Sequence, residues 1–265
     1  MYLEHTPIET YDVAGRAVFV KRDDLFARPP APPVAKLRGM RSILRRVHAE
    51  GRTCIGCFEA SQSRIGHALA AACTPFAGVT CLVAYQAVRN RPPPTSALQA
   101  ERLGARLIPI PSNIVAICYR QAAKLVEAQG AWMLPFGFEC EEAVEAVREE
   151  AALVPREFVE GGTLVVPCGS GVTLAGILRG LVGRPSYVMA VSVGRSVKAI
   201  RACLERNAIN GSNIDIRPPR RSYREAASTL CPFPCDPRYD LKGWEVLVAE
   251  IEHLPSPVLF WNVGG

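Results

Sequence analysis

The chain has 265 residues, a formal charge of +6, 49% hydrophobic and 21% charged residues, which excludes disordered and fibrous classes and suits a soluble globular protein. No window approaches the roughly 18 uninterrupted apolar residues of a membrane span, and Met1 to Pro7 has no basic-then-apolar signal pattern. A cytoplasmic protein without a membrane partner is therefore expected. Ten cysteines are spread through the chain, and Cys73, Cys81, Cys118, Cys168 and Cys203 lie in apolar segments, which suits reduced buried thiols rather than a disulfide framework.

Strand-length apolar runs alternate with helical stretches. In chain order they are Ala17–Lys21, Leu37–His48, Thr53–Cys57, Ile65–Cys73, Val79–Ala84, Ser96–Leu103, Arg106–Ile110, Ile114–Gln129 and Glu141–Leu153. Thr163–Pro167, Thr173–Leu181, Tyr187–Val193, Val197–Arg206, Leu241–Ile251 and Val258–Trp261 follow. Strand, helix, strand with short connections predicts an α/β fold, parallel sheets flanked by helices. Ser112–Asn113, Ser196 and Asp240 stand where helix N-caps are expected. Proline-dense breaks fall at Arg28 to Pro33 and Arg91 to Pro94, and Asn207 to Pro237 reads as irregular, the material of a lid or an active-site loop.

Three stretches carry chemistry. Lys36 follows the Pro29–Pro33 segment and opens an apolar-periodic helix, a junction at which a lysine stem can sit in apolar surroundings and suit Schiff-base chemistry; a solvent-facing helix start is the alternative. Glu59–Ala60–Ser61–Gln62–Ser63–Arg64 is a polar turn after a strand that runs into an alanine-rich helix. Its hydroxyls and amides could hold a carboxylate, or form an elaborate N-cap. Val166–Pro167–Cys168–Gly169–Ser170–Gly171–Val172–Thr173 breaks a strand into Gly-Ser-Gly before a helix, and free N–H groups at the positive end of a helix dipole cradle phosphates. Cys54-x-x-Cys57 and Cys231-x-x-x-Cys235 lack the turn residues of zinc knuckles, so no metal is expected. The arginines Arg217, Arg220, Arg221 and Arg224 could attract nucleic acid or phosphorylated ligands, but only Tyr223 is interleaved with them, where a strand-binding platform needs several aromatics.

In this order, Thr6–Pro7–Ile8, Val20–Lys21–Arg22–Asp23–Asp24–Leu25, Ala35–Lys36–Leu37–Arg38, Ser61–Gln62–Ser63, Leu103–Gly104–Ala105, Gly169–Ser170–Gly171–Val172–Thr173 and Gly264–Gly265 resemble the pyridoxal-phosphate enzymes of the tryptophan-synthase β (fold type II) superfamily. Within it the chain is most similar to the aminocyclopropane-carboxylate deaminase and D-cysteine desulfhydrase branch, and nearly the whole chain is covered. The resemblance implies that Lys36 holds pyridoxal phosphate as a Schiff base, that Gly169, Ser170, Gly171, Val172 and Thr173 hold its phosphate, and that the Ser61–Arg64 turn receives the substrate carboxylate. Asp236–Pro237–Arg238–Tyr239 is similar to a family element whose tyrosine lies beside the substrate. A large cofactor domain (1–50 and 138–265), a small substrate domain (51–137) and a homodimer are also implied.

Three departures stand out. Ala35 replaces the asparagine that bonds the cofactor's phenolic oxygen, Arg64 replaces the asparagine of the turn, and Val263 replaces the hydroxyl residue facing the pyridine nitrogen. Arg64 suits a substrate with an extra anionic group. Val263 leaves the ring nitrogen unprotonated and a weaker electron sink. The expected activity is α-proton abstraction from a small amino acid by Lys36, assisted by Tyr239 and Ser63, then β-elimination, deamination or replacement. The alternatives are a binding protein without turnover, or an enzyme of this kind working on an amino acid attached to nucleic acid.

Overall fold

A computed structural model describes residues 2–60, 63–222 and 224–264. The elements are β1 (Ile8–Val13), β2 (Arg16–Arg22), α1 (Leu37–Ala49), β3 (Cys54–Glu59), α2 (Ile65–Cys73), β4 (Thr80–Gln86), α3 (Thr95–Arg102), β5 (Arg106–Ile110) and α4 (Val115–Glu127). They continue with β6 (Trp132–Met133), α5 (Glu141–Ala151), β7 (Thr163–Cys168), α6 (Val172–Gly180), β8 (Tyr187–Ser192), α7 (Val197–Arg206), β9 (Ile214–Arg217), α8 (Asp240–Glu250) and β10 (Val258–Asn262). The α/β architecture is as the alternation predicts. No helix among the described residues is long and apolar enough to cross a membrane.

Two units divide the chain, one of 1–27, 33–35 and 139–265, the other of 28–32 and 36–138. Helix α1 thus belongs with the second unit, whereas a boundary at residue 50 assigned it to the first. The reason is packing, since α1 lies against α2 and buries Leu37, Met40, Ile43, Leu44 and Val47.

The first unit holds a six-stranded sheet in the order β1-β2-β10-β7-β8-β9, in which only β1 runs antiparallel, to β2. Every residue of β7 and β10 is buried, the pattern of central parallel strands covered on both faces. Val165, Met189, Val191, Val258 and Phe260 point to one face and pack with Trp244 and Leu247 of α8 and with Phe233. The Val20–Leu25 motif is a buried electrostatic staple. Lys21 Nζ donates to Thr6 O and Glu150 Oε1 (both 2.5 Å), Arg22 grips Asp24 through two bonds (2.9 and 2.8 Å), and Trp261 Nε1 donates to Asp23 Oδ2 (3.1 Å).

The second unit carries a parallel sheet in the order β5-β4-β3-β6. Phe58, Leu82, Ala84 and Ile110 pack against Cys118, Ala122 and Val126 of α4. Its thiols are structural in their packing, with Cys57, Cys73 and Cys81 buried. Among the described residues, no group of three or more His, Cys, Asp or Glu side chains is arranged to hold a metal ion.

Candidate functional site

In the first unit, β7 ends at Cys168 and the chain turns through Gly169, Ser170 and Gly171 into α6. Gly171 has φ +97°, a left-handed conformation natural to glycine, and a Cβ there would press on Ile200 and Cys203 of α7. The first bond of the helix runs from Ala175 N–H to Gly171 O (2.9 Å). The amides of Val172, Thr173 and Leu174 therefore have no helical carbonyl to bond and lie at the positive end of the helix. This is a place for a phosphate monoester.

A second strand-to-helix turn buttresses this loop. After β8, Val193 N–H donates to Cys168 O (2.9 Å) and Arg195 N–H to Gly169 O (3.1 Å). A Cβ on Gly194 would lie 2.8 Å from Gly169 Cα, so the two backbones meet where no side chain fits. Glu139 anchors this second turn by ion pairs with Arg195 and Arg206.

Tyr239 stands at the same loop, because a Cβ on Gly169 would collide with its hydroxyl. Asp236 shapes the turn that delivers it, accepting Arg238 N–H at its carboxylate (2.8 Å) and Tyr239 N–H at its carbonyl (3.1 Å). The next residue, Asp240, is fully buried and accepts Val263 N–H (3.1 Å), while Val263 O accepts Ala35 N–H (2.8 Å). Asp240 was expected to cap α8; its carboxylate instead ties the end of β10 to the start of that helix, a long-range bond that local sequence does not encode. Gly264 has φ +64°, and a Cβ there would overlap Pro33 O. The structure thus gathers the Gly169–Thr173 loop with Tyr239, and Val263 with Ala35.

In the second unit, Lys36 is half-buried with helical dihedrals and begins α1, its carbonyl accepting Met40 N–H (3.2 Å). The proline segment before it is held by His67, whose Nε2 lies 2.7 Å from Pro30 O. A carbonyl only accepts, so the ring proton sits on Nε2, and burial pushes the His67 pKa down, keeping the ring neutral.

Ser63 and Arg64 are both half-buried at the start of α2, while Ser61 and Gln62 lie outside the described residues. The amides beyond this turn are not open to a ligand as expected. Ile65 N–H is taken by Ser63 Oγ (3.2 Å) and Gly66 N–H by Glu59 Oε2 (2.7 Å). Strand β3 ends in a fully buried carboxylate that occupies the helix start itself. Any grip on a ligand carboxylate then falls to the turn's own residues, with Arg64 the cation among them. Ser96 completes the arrangement, its Oγ lying 2.5 Å from Glu59 Oε1 and 2.9 Å from Ser63 O. Burial pushes the Glu59 carboxyl up to about 7. Glu59, Ser96 and Asp240 were not singled out for these roles from sequence; the available signal for Glu59 was a carboxylate closing the apolar run from Ile55 to Phe58.

Comparison with known proteins gives the family and the fold. The sequence profile of the family described as "Pyridoxal-phosphate dependent enzyme" matches residues 3–223. A protein of Pseudomonas phage M6, the "Glycyl-dTMP PLP-dependent decarboxylase", is 31% identical over 287 aligned positions that cover 100% of both chains. Among solved structures, an ACC deaminase homologue has a TM-score of 0.76 at 18% identity, covering 99% of this chain and 90% of its own. Threonine deaminase isoform 2 of Solanum lycopersicum has a TM-score of 0.66 at 13% identity, covering 98% of this chain and 78% of its own. These structural likenesses concern the fold.

Proposed function

Because the chain belongs to the pyridoxal-phosphate dependent enzymes, we propose that it decarboxylates an α-amino acid carried on a thymine nucleotide. The observation that carries this reading is the end-to-end similarity, at 31% identity, to a protein whose name gives that activity. A substrate of this kind keeps its amine free to join the cofactor and its carboxylate free to leave. The base is then attached through the α-carbon. Decarboxylation differs from the expected α-proton abstraction in that the carboxylate, rather than the α-proton, is the departing group.

The residues fit the cofactor. Lys36 is the amine that would hold it, and the amides of the Gly169–Thr173 loop would take its phosphate at a place where a Cβ on Gly169 or Gly194 has no room. Val263 offers only hydrocarbon to a ring nitrogen. Bound pyridoxal phosphate supplies an electron sink for the pair left on the α-carbon as CO2 departs. Lys36 and Tyr239 are the groups that would return a proton to that carbon. Ser61, Gln62, Ser63 and Arg64 would orient the carboxylate. Arg220, Arg224 and Arg238 form no ion pair among the described residues, which suits a phosphorylated or nucleic-acid carrier. A homodimer working in the cytoplasm is part of the same proposal, and sedimentation of the purified chain tests the pairing.

The experiment is to load the protein with pyridoxal phosphate and supply thymidine monophosphate bearing the amino-acid group through its α-carbon, free and within an oligonucleotide. The expected result is CO2 release that Lys36→Ala abolishes. Release of ammonia or loss of the group from the base, with the carboxylate retained, would replace decarboxylation by deamination or elimination.

A further inference from the structure

Strand β3 ends in a carboxylate that has no ion-pair partner among the described residues and is fully buried. Its two oxygens serve different elements of the second unit. Oε2 accepts the Gly66 amide at the start of α2 (2.7 Å), and Oε1 lies 2.5 Å from Ser96 Oγ in the first turn of α3. Ser96 Oγ is also 2.9 Å from the carbonyl of Ser63. A serine hydroxyl has a single proton. It can serve Glu59 or the Ser63 carbonyl, but not both.

The conflict disappears when Glu59 itself carries a proton. Its hydroxyl then donates to Ser96 Oγ, Ser96 donates to Ser63 O, and Oε2 still accepts the Gly66 amide, so every polar atom of the set is satisfied. We propose that Glu59 is a positioning residue whose proton, relayed through Ser96, fixes the carbonyl of Ser63 ahead of α2 and so couples carboxylate binding at Ser63 and Arg64 to protonation. The role of the turn as a carboxylate site rests on the function proposed above; the relay itself rests on the contacts alone.

The surroundings agree with the relay. The titratable or charged groups near Glu59 are Cys57 two residues back on β3, Tyr85 paired with it on β4, and Arg64 and His67 at the start of α2, while the first turn of α3 carries none. Cys57 is a buried neutral thiol, and the His67 ring is engaged with Pro30. Desolvation dominates at Glu59 and favours the protonated form near neutrality. An arriving substrate carboxylate would favour that form further, because two like charges at one turn repel.

Infrared titration of the full chain tests the relay without a ligand. A protonated-carboxyl band that titrates near neutral pH is expected, lost in Glu59→Gln and shifted in frequency in Ser96→Ala, where the hydrogen-bond partner is gone. Absence of such a band, or a band indifferent to Ser96→Ala, overturns the proposal whatever the substrate. Glutamine keeps both bonds in the protonated pattern, its amide N–H donating to Ser96 and its carbonyl accepting from Gly66. With a turning-over substrate, KM of the native enzyme should rise about tenfold per pH unit above the Glu59 pKa, while Glu59→Gln shows a flat KM over the same range. A KM profile that Glu59→Gln leaves unchanged also overturns it. If the band behaves as expected but no decarboxylation is found, the relay stands and the substrate assignment fails.

Discussion

Replacing Gly169 by alanine puts a Cβ into the Tyr239 hydroxyl, while the next nearest atoms, Tyr239 Cζ and Cε2, lie at 3.4 and 3.5 Å, which is ordinary contact. The whole clash is therefore one oxygen atom. Overpacking of this kind costs about 1–3 kcal/mol, and if the phosphate loop gives way rather than the tyrosine, pyridoxal-phosphate affinity falls by roughly 5- to 150-fold. Tyr239→Phe removes the oxygen and leaves the ring, so Gly169→Ala with Tyr239→Phe should bind the cofactor about as well as Tyr239→Phe alone. Gly194→Ala offers the contrast, since its Cβ would meet the Gly169 backbone, 2.8 Å from Cα, and Tyr239→Phe should not rescue it. The assay is titration with pyridoxal phosphate followed by absorbance and by quenching of tryptophan fluorescence, with thermal unfolding as a check on folding. A loss of affinity in Gly169→Ala that Tyr239→Phe fails to restore would refute the placement of Tyr239 against the loop.

Three further outcomes follow from buried polar groups. Lys21→Met leaves Glu150 buried without its cation and should cost about 3–5 kcal/mol in denaturant unfolding, with most of the loss recovered when Glu150→Met is added; simple additivity of the two changes would count against the staple. Asp240→Ala strands the Val263 amide and should cost about 1–3 kcal/mol, whereas Asp240→Asn keeps an acceptor and should cost less. Equal melting points for the two variants would exclude the bond as the reason Asp240 is buried. Glu59 has a folded pKa raised from 4.5 to about 7, so the folded state binds the extra proton and stability falls as pH rises between those values. At 1.36 kcal/mol per pH unit the fall is about 3 kcal/mol, and Glu59→Gln should flatten it in unfolding curves measured across that range.

Much of the architecture was legible because the sheets are parallel apart from β1, and the central strands β7 and β10 are buried along their whole length. Thr163–Pro167 and Val258–Trp261 stand out as apolar runs for that reason, and the helix at Val197–Arg206 is announced by Ser196, whose hydroxyl accepts Ala199 N–H (3.3 Å). Some strands at sheet edges were harder to see, although the edge strand β5 was read with its observed bounds. β1, with Glu9 and Asp12 in its six residues, and β9, with Asp215 and Arg217, mix polar residues among their apolar ones. β9 was therefore absorbed into a segment read as irregular, and β6 has only two residues. Helix α1 groups with the second unit rather than with the residues before it, and no linear boundary expresses this, because the chain changes unit twice within 28–36.

The site was legible where glycine does the work. Gly169, Gly171 and Gly264 stand where a close approach or a positive φ leaves no room for a side chain, and their spacing carries that information in one dimension. What sequence could not deliver were the bonds made across the fold. Asp240 looks like a cap in isolation and is an acceptor for β10. Glu59 looks like the polar end of a strand and is the group that takes the amide of Gly66, so that the helix start expected to receive a ligand is already filled.

The most direct test of the account is to reduce the pyridoxal-phosphate-loaded protein with borohydride and map the modified peptide by mass. The account predicts a single pyridoxyl adduct on Lys36, with an absorption band of the unreduced protein that is lost in Lys36→Ala. An adduct on another lysine, or no adduct in a protein that is folded and saturated with the cofactor, would contradict it.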